Sequence, residues 1–411
     1  MFFIHYIYYY YIYYIDWFLG EGHMKRLTRR KFIVFVTLVL AMVSMLTACL
    51  NPIDDDGIKD SENETPSTQE LKPTIGLTPP STPQQYVGDL ELPALGATGY
   101  TSIALDLKTS ANSDSKTIEI LEAGTAFEIV GEEGKWWLIQ NESSTGWVQH
   151  TYCLINLPDV IPSIIYDNTN TYSSKYLSSG KSIPNITGKS LYSGRTLNKR
   201  LGKEEFIVPV LYSMSKKIYL AQKYALADGN SLIIYEGYRP YPVQQAIVSA
   251  LTTLANNDLK VKAGIDTFPW SINWFIATDI SNHQMGYAID ASLAKINSKK
   301  EITVGEYAGI EIISYTEYTM PTEIHELSIA AVTFTAPVKS TLPTAWKDAV
   351  LSDTMNEAAI NLQIYSVKAG LTPLASEWWH FNDLDAMKET MEKSSVGSYF
   401  LIESYSTSPS N

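Results

Sequence analysis

The chain has 411 residues, 45% of them hydrophobic and 18% charged, with 44 acidic against 31 basic side chains and a formal net charge of -13. That apolar content excludes a wholly disordered chain, and an acidic balance without clustered Lys and Arg argues against a nucleic-acid partner. Only Cys49 and Cys153 are present, which excludes a disulfide framework and leaves stability to core burial.

From Met24 the chain carries five cations (Lys25, Arg26, Arg29, Arg30, Lys31), then an apolar run from Phe32 to Ala48, then Cys49. Such a layout is that of a secretory signal peptide, assigned to 24–48. Its end, Leu46-Thr47-Ala48-Cys49, resembles the bacterial lipoprotein cleavage box, in which the cysteine thiol receives diacylglycerol before the chain is cut. The resemblance implies lipidation at Cys49 and a mature protein anchored to the outer face of the cytoplasmic membrane. An uncleaved span is the alternative, since the 17-residue run lies at the lower edge of spanning length. Residues 1–23 hold seven tyrosines and no Lys or Arg ahead of this complete signal, and are expected to be a misassigned start.

Cleavage before Cys49 would leave 26 basic and 42 acidic residues, a balance of -16 that anionic wall polymers and lipids repel. From Cys49 to residue 96 the composition is rich in Pro, Thr, Ser and acid, with Asp54-Asp55-Asp56 and Thr78-Pro79-Pro80-Ser81-Thr82-Pro83. This segment is expected to be a solvated tether, and a coil of that length spans on the order of 40 Å.

Over 97–157 short β-type runs alternate with turn signals: Thr117–Leu121, Ala126–Val130, Trp136–Ile139 and Gly146–Val148. The spacing predicts a small all-β barrel. Gly134-Lys135-Trp136-Trp137 and Gly146-Trp147-Val148 resemble signatures of the bacterial SH3-like domain, which implies either wall-peptide binding or a spacer role. His150 and Cys153 lie close together here, but no third residue in the sequence orients them as a nucleophilic pair.

Chemistry is concentrated in three later segments. Ser231–Tyr235 reads as a buried strand, followed by Glu236-Gly237-Tyr238-Arg239-Pro240 and a helical pattern, so Arg239 sits in a strand-to-helix loop with Pro240 holding it extended. Next, Ser281–Leu293 sets His283 in a loop and Asp290 on a strand whose neighbours, Ile289 and Ala291, are apolar. A buried acid there needs a partner, either a salt bridge or a bound cation. In the third, Ser376-Glu377-Trp378-Trp379-His380-Phe381 combines an acid and an imidazole amid aromatics. For Glu377 and His380 to serve one ion, the backbone must bend between them. Together, two imidazoles and a carboxylate leave a fourth position open, as in catalytic zinc sites.

These residues resemble the metallopeptidases of vancomycin resistance and wall turnover, the D-alanyl-D-alanine dipeptidases and D,D-carboxypeptidases. Ser281, His283, Gly286, Ala288 and Asp290 match the Ser-x-His-x-x-Gly-x-Ala-x-Asp hallmark, and Glu377 and His380 match the later Glu-x-x-His. Glu-Trp-Trp-His with Gly-Tyr-Arg-Pro upstream is closest to the dipeptidase branch, and the likeness covers roughly Ile164 to Phe381. It implies an α+β peptidase domain over 158–405 with one zinc ion held by His283, Asp290 and His380. Glu377 would serve as general base and then proton donor, Arg239 would stabilise the oxyanion, and Ser281 would help hold the substrate carboxylate. One departure stands out. Where dipeptidases carry an acid that receives the substrate ammonium, this chain has His325, with Glu326 beside it. His325 is therefore assigned to substrate binding or to support of the site, and longer D-Ala-terminated peptides become candidate substrates. Ile329 occupies the second His position of a His-Glu-x-x-His motif, which removes that zinc reading. Expected partners are peptidoglycan stem peptides and, through the anchor, the membrane. Alternatives are a D,D-carboxypeptidase or L,D-endopeptidase on the same scaffold, and a noncatalytic wall-binding lipoprotein.

Overall fold

The computed structural model describes residues 82–391. Residues 1–23, the signal segment 24–48, Cys49 and most of the expected tether lie outside the described residues. Among the described residues no helix is long and apolar enough to cross a membrane.

The chain is packed earlier than its composition suggests. The tether was expected to reach residue 96, yet after β1 (Gln84–Gln85) Leu90, Leu92 and Ala94 are buried. Glu91 anchors this stretch by accepting from the Ser163 and Ile310 amides at 3.1 and 2.8 Å. The short Leu90-Glu91-Leu92-Pro93-Ala94 run is hidden in a window dominated by the polar residues before it, which is why the boundary falls late in the sequence reading.

Seven strands follow: β2 (Thr98–Thr101), β3 (Leu105–Lys108), β4 (Thr117–Leu121), β5 (Ala126–Glu133), β6 (Trp136–Gln140), β7 (Thr145–Gln149) and β8 (Cys153–Asn156). Four of them, β4 to β7, contain the runs read from the sequence. Their inward positions alternate as a half-buried sheet requires, with Phe127, Ile129, Trp137, Ile139 and Val148 buried. Each such side chain stabilises the fold by roughly 1.5–3 kcal/mol. Cys153 is buried, its Sγ meets the Gln149 carbonyl at 3.6 Å, and burial pushes its thiol up. His150 instead points its Nε2 at the Gly134 carbonyl, 3.0 Å away, so the two do not form a nucleophilic pair.

Beyond α1 (Leu157–Val160) come β9 (Ile165–Tyr166), the small hairpins β10 (Leu177–Ser178) with β11 (Lys181–Ser182) and β12 (Arg195–Asn198) with β13 (Lys203–Phe206), then β14 (Pro209–Leu211). Helix α2 (Tyr212–Ala227) leads into β15 (Asn230–Glu236), every residue of which is buried. Pro242 in its first turn presets the backbone of α3 (Tyr241–Asn257). Asp258 caps α4 (Leu259–Ile265) through the Lys260 and Val261 amides, and the short α5 (Ile272–Phe275) follows. The long strands β16 (Ala288–Val304) and β17 (Tyr307–Glu317) form a hairpin. The fold ends with α6 (Glu357–Lys368), β18 (Thr372–Pro373), β19 (His380–Asn382) and α7 (Leu384–Met391).

The result is a mixed α/β structure with two large sheets. One is ordered β14-β8-β2-β5-β6-β7-β3-β4, and the other β1-β17-β16-β15-β9, with β19 on β16 and β18 on β19. Near its start β16 lies between β15 and β19, so Asp290 is opposite His380 on one side and Glu236 on the other. A register shift between Ile234 and Glu236 brings Glu236, rather than Tyr235, to that level. One strand position thus delivers three of the site's side chains.

Gly286 turns the chain just ahead of β16, its amide donating to the His283 carbonyl at 3.0 Å. Its φ is +78°, and an added Cβ would lie 2.6 Å from Leu154 Cδ2. Gly286→Ala is expected to destabilise the protein by more than about 1 kcal/mol in urea unfolding, since both the backbone region and the space oppose it.

Candidate metal centre

His283 and Asp290 come from the loop before β16 and from its third residue, and His380 opens β19. Between Glu377 and His380 the chain turns at Trp378-Trp379, and the His380 amide donates to the Glu377 carbonyl at 3.3 Å. That turn is the bend the three-residue spacing called for.

The donor atoms form a small triangle. His283 Nε2 is 3.1 Å from His380 Nδ1 and 3.3 Å from Asp290 Oδ1, and His380 Nδ1 is 3.0 Å from the same oxygen. Donors bound to one ion at about 2.0–2.1 Å with tetrahedral angles sit about 3.3 Å apart. All three residues are buried, and they satisfy the geometry of a shared ion.

Hydrogen bonding on the far side of each ring sets which nitrogen is bare. His283 Nδ1–H donates to the Gly237 carbonyl at 2.7 Å. His380 Nε2–H donates to Asn382 Oδ1 at 3.0 Å, and that oxygen also accepts from Asn282 at 2.9 Å. Two imidazole lone pairs and a carboxylate oxygen therefore face one another. A proton relieves one pair at a time, whereas a cation relieves all three.

The electrostatics follow from this crowding. Burial lowers His283, while His380 is raised because Asp290 outweighs the burial that opposes its charge. Burial alone would push Asp290 up, but His283, His325 and His380 hold it well below the usual carboxylate range. Glu377 is pushed up to about 8, chiefly by burial, with His380 opposing and Asp290 adding to the rise. Its Oε2 lies 3.8 Å from His380 Nδ1. A carboxyl that exchanges its proton near neutrality suits acid and base work.

Arg239 reaches the same place from the loop after β15. Its Nε donates to Glu236 at 2.8 Å, Nη1 to Gln244 at 2.8 Å, and Nη2 to both Glu236 and Asp290, the latter at 3.2 Å. One Nη1 N–H is left over from these bonds. The sequence reading overlooked Glu236 as a functional partner. Fully buried, it also accepts from Asn170 and Tyr192, both at 2.8 Å. An acid ending an apolar strand three residues before an Arg was the available signal. Asn282 and Asn382 left no comparable sign.

Ser281 Oγ accepts from the Gln284 amide at 3.2 Å and lines the cavity. His325 has a positive φ of 62°, stacks on Tyr176 at 4.4 Å, and directs Nε2–H to Asp290 Oδ2 at 3.1 Å. It thus supports the carboxylate whose other oxygen faces the two histidines. Glu326 turns away, accepting from the Ser179 and Gly180 amides. Around these groups lies a cavity of about 220 Å³, also lined by Trp274, Phe275 and Trp379.

The family model for the bacterial SH3 domain matches residues 103–153. A comparison with curated proteins returned no match. Residues 103–153 thus carry a bacterial SH3 domain, inside the 97–157 segment read as SH3-like from its strands and turns.

Proposed function

We propose that the chain is a zinc-dependent peptidase that hydrolyses D-Ala-D-Ala or D-Ala-terminated peptides of peptidoglycan, held by a lipid on Cys49 at the outer face of the cytoplasmic membrane. The observation that carries this reading is the triangle of His283 Nε2, His380 Nδ1 and Asp290 Oδ1, with edges of 3.0–3.3 Å and both imidazole lone pairs turned inward. Magnesium and calcium favour all-oxygen sets, whereas two imidazoles with one carboxylate suit zinc. The hallmark spacing from Ser281 to Asp290 and the Glu377/His380 pair support the same reading, and the bacterial SH3 domain suits a wall-facing protein.

When bound, the ion supplies a Lewis acid that polarises a carbonyl and makes water acidic near neutral pH. Glu377 takes the proton from the water whose oxygen bonds to the scissile carbonyl carbon. It returns that proton to the amine nitrogen as the C–N bond breaks. The remaining Arg239 Nη1 N–H donates toward the carbonyl oxygen as that atom gains charge, and Glu236 and Gln244 hold the guanidinium still. Ser281 lies on the cavity wall, where its hydroxyl serves the substrate carboxylate. A volume of about 220 Å³ is small beside the ~300–1,000 Å³ of drug-sized sites and fits the end of a peptide.

A second reading, a D,D-carboxypeptidase or L,D-endopeptidase acting on stem peptides, is favoured by one feature. The only carboxylates lining the cavity among the described residues are Asp290 and Glu377, both already engaged, and His325 adds no anion for a free substrate ammonium. D-Alanine release from free D-Ala-D-Ala and from pentapeptide, measured with metal content before and after chelation, separates the readings. Release is expected to vanish on chelation and return with zinc. Protein that holds its ion yet releases no D-alanine from either substrate and cuts no other bond of the pentapeptide would leave a noncatalytic wall-binding role.

A further inference from the structure

The SH3-like module and the candidate metal centre share one strand. Along one edge β14 pairs antiparallel with β8 of the module, Val210 opposite Ile155 and Leu211 opposite Leu154. Along a strand, backbone groups alternate in direction, and two groups of β14 that face away from β8 go to the two loops of the site. The Pro209 carbonyl accepts from the Tyr238 amide at 2.9 Å, and the Leu211 amide donates to the Gly286 carbonyl at 2.8 Å.

Both contacts sit next to the chemistry. Tyr238 adjoins Arg239, and the preceding Gly237 offers the carbonyl that orients His283. Gly286 donates its amide to the His283 carbonyl at 3.0 Å. The approach is too close for a side chain at either glycine, since a Cβ on Gly237 would lie 2.7 Å from the Pro209 carbonyl oxygen and one on Gly286 would lie 2.6 Å from Leu154. Leu154, a residue of the module itself, therefore packs directly on the turn that carries His283.

The module is also held from its aromatic side. Tyr212, the first residue of α2, sets its ring 4.5 Å from Trp137 and 4.9 Å from His150, and donates its hydroxyl to Glu132 at 3.0 Å. A spacer free to swing would not share a strand or bury an aromatic cluster against its neighbour.

We infer that the SH3-like module is a positioning element of the metal centre, setting through β14 and Leu154 the separation of the His283 and Arg239 loops. The inference rests on the metal-site reading for its effect on the ion. Its mechanical part stands on the contacts above. Leu154 is a positioning residue, acting on His283 through Gly286.

The test compares Leu154→Ala in the full chain with Ile139→Ala, a truncation of an equally buried residue on β6, a strand that pairs with β5 and β7 and not with β14. Zinc affinity is read by competition with a chromophoric chelator, and amide exchange of the 281–287 segment is followed by mass spectrometry. Leu154→Ala is expected to weaken zinc binding about 10-fold or more and to speed exchange over 281–287, with Ile139→Ala leaving both near the parent at a similar fall in Tm. Equal effects of the two variants, or no effect of Leu154→Ala, would overturn the inference. Should Leu154→Ala fail to fold, Leu154→Val takes its place under the same comparison. A parent that binds no zinc would fail the metal reading, and the exchange of 281–287 would still decide the coupling.

Discussion

Glu377→Gln is expected to lower peptide turnover by about 10²- to 10⁴-fold, the usual contribution of a positioned acid and base. The amide has the shape of the carboxyl and cannot carry the proton from water to the leaving amine. Because burial already pushes the Glu377 carboxyl up to about 8, a neutral side chain of the same shape is expected to fold about as well as the parent. Zinc content, KM and the urea midpoint should therefore stay near the parent values while kcat falls. A variant within tenfold of the parent in kcat would remove Glu377 from the mechanism. A variant that lost its ion would show instead that the carboxylate is a ligand.

Asp290→Asn should have the broader effect. This one carboxylate meets His283 and His380 through Oδ1, and His325 and Arg239 through Oδ2. Removing its charge while keeping its size leaves three imidazoles and a guanidinium converging on a neutral group. Among the described residues, Glu236 is then the one ion-pair partner left to Arg239. Loss of one partner from a buried ionic cluster costs about 3–5 kcal/mol, and zinc uptake should fall to background in metal analysis. Retention of a full equivalent of zinc would refute Asp290 as a ligand, whatever the change in stability.

The two variants divide the site by the kind of work each residue does. Glu377 changes protonation during the proposed reaction and contributes little to the folded state. Asp290 holds the cluster together and is expected to keep its charge throughout. This division was only partly legible beforehand. An acid among apolar neighbours marked Asp290 as needing a partner, and His283 lies in the same segment, but the other three partners, His325, Arg239 and His380, lie 35, 51 and 90 residues away. No local pattern joins them.

His325 shows the limit most clearly. In the sequence it stood out as a departure from the resembling family, at a position assigned either to substrate or to support of the site. In the fold its Nε2 is engaged with Asp290 and its ring is stacked on Tyr176, because a left-handed backbone at that residue turns it inward. The end of the tether was misplaced for another reason. Composition averaged over many residues hides a short apolar run, and only the strands and loops that cover Leu90 and Leu92 reveal that the run is core.

The residue pattern alone determined the elements that depend on near neighbours: the alternating runs of the SH3-like module, the buried strand ending before Arg239, and the Ser281–Asp290 and Glu377–His380 spacings. Side-chain alternation, proline geometry and turn chemistry act over a few residues, so they are written locally. Tertiary structure decided the pairing of Asp290 with His380 and Glu236, the tautomers imposed by Gly237 and Asn382, and the use of β14 as a strand common to the module and the site. Those features depend on which distant backbones meet edge to edge, and strand pairing is settled by burial over the whole sheet rather than by any one segment.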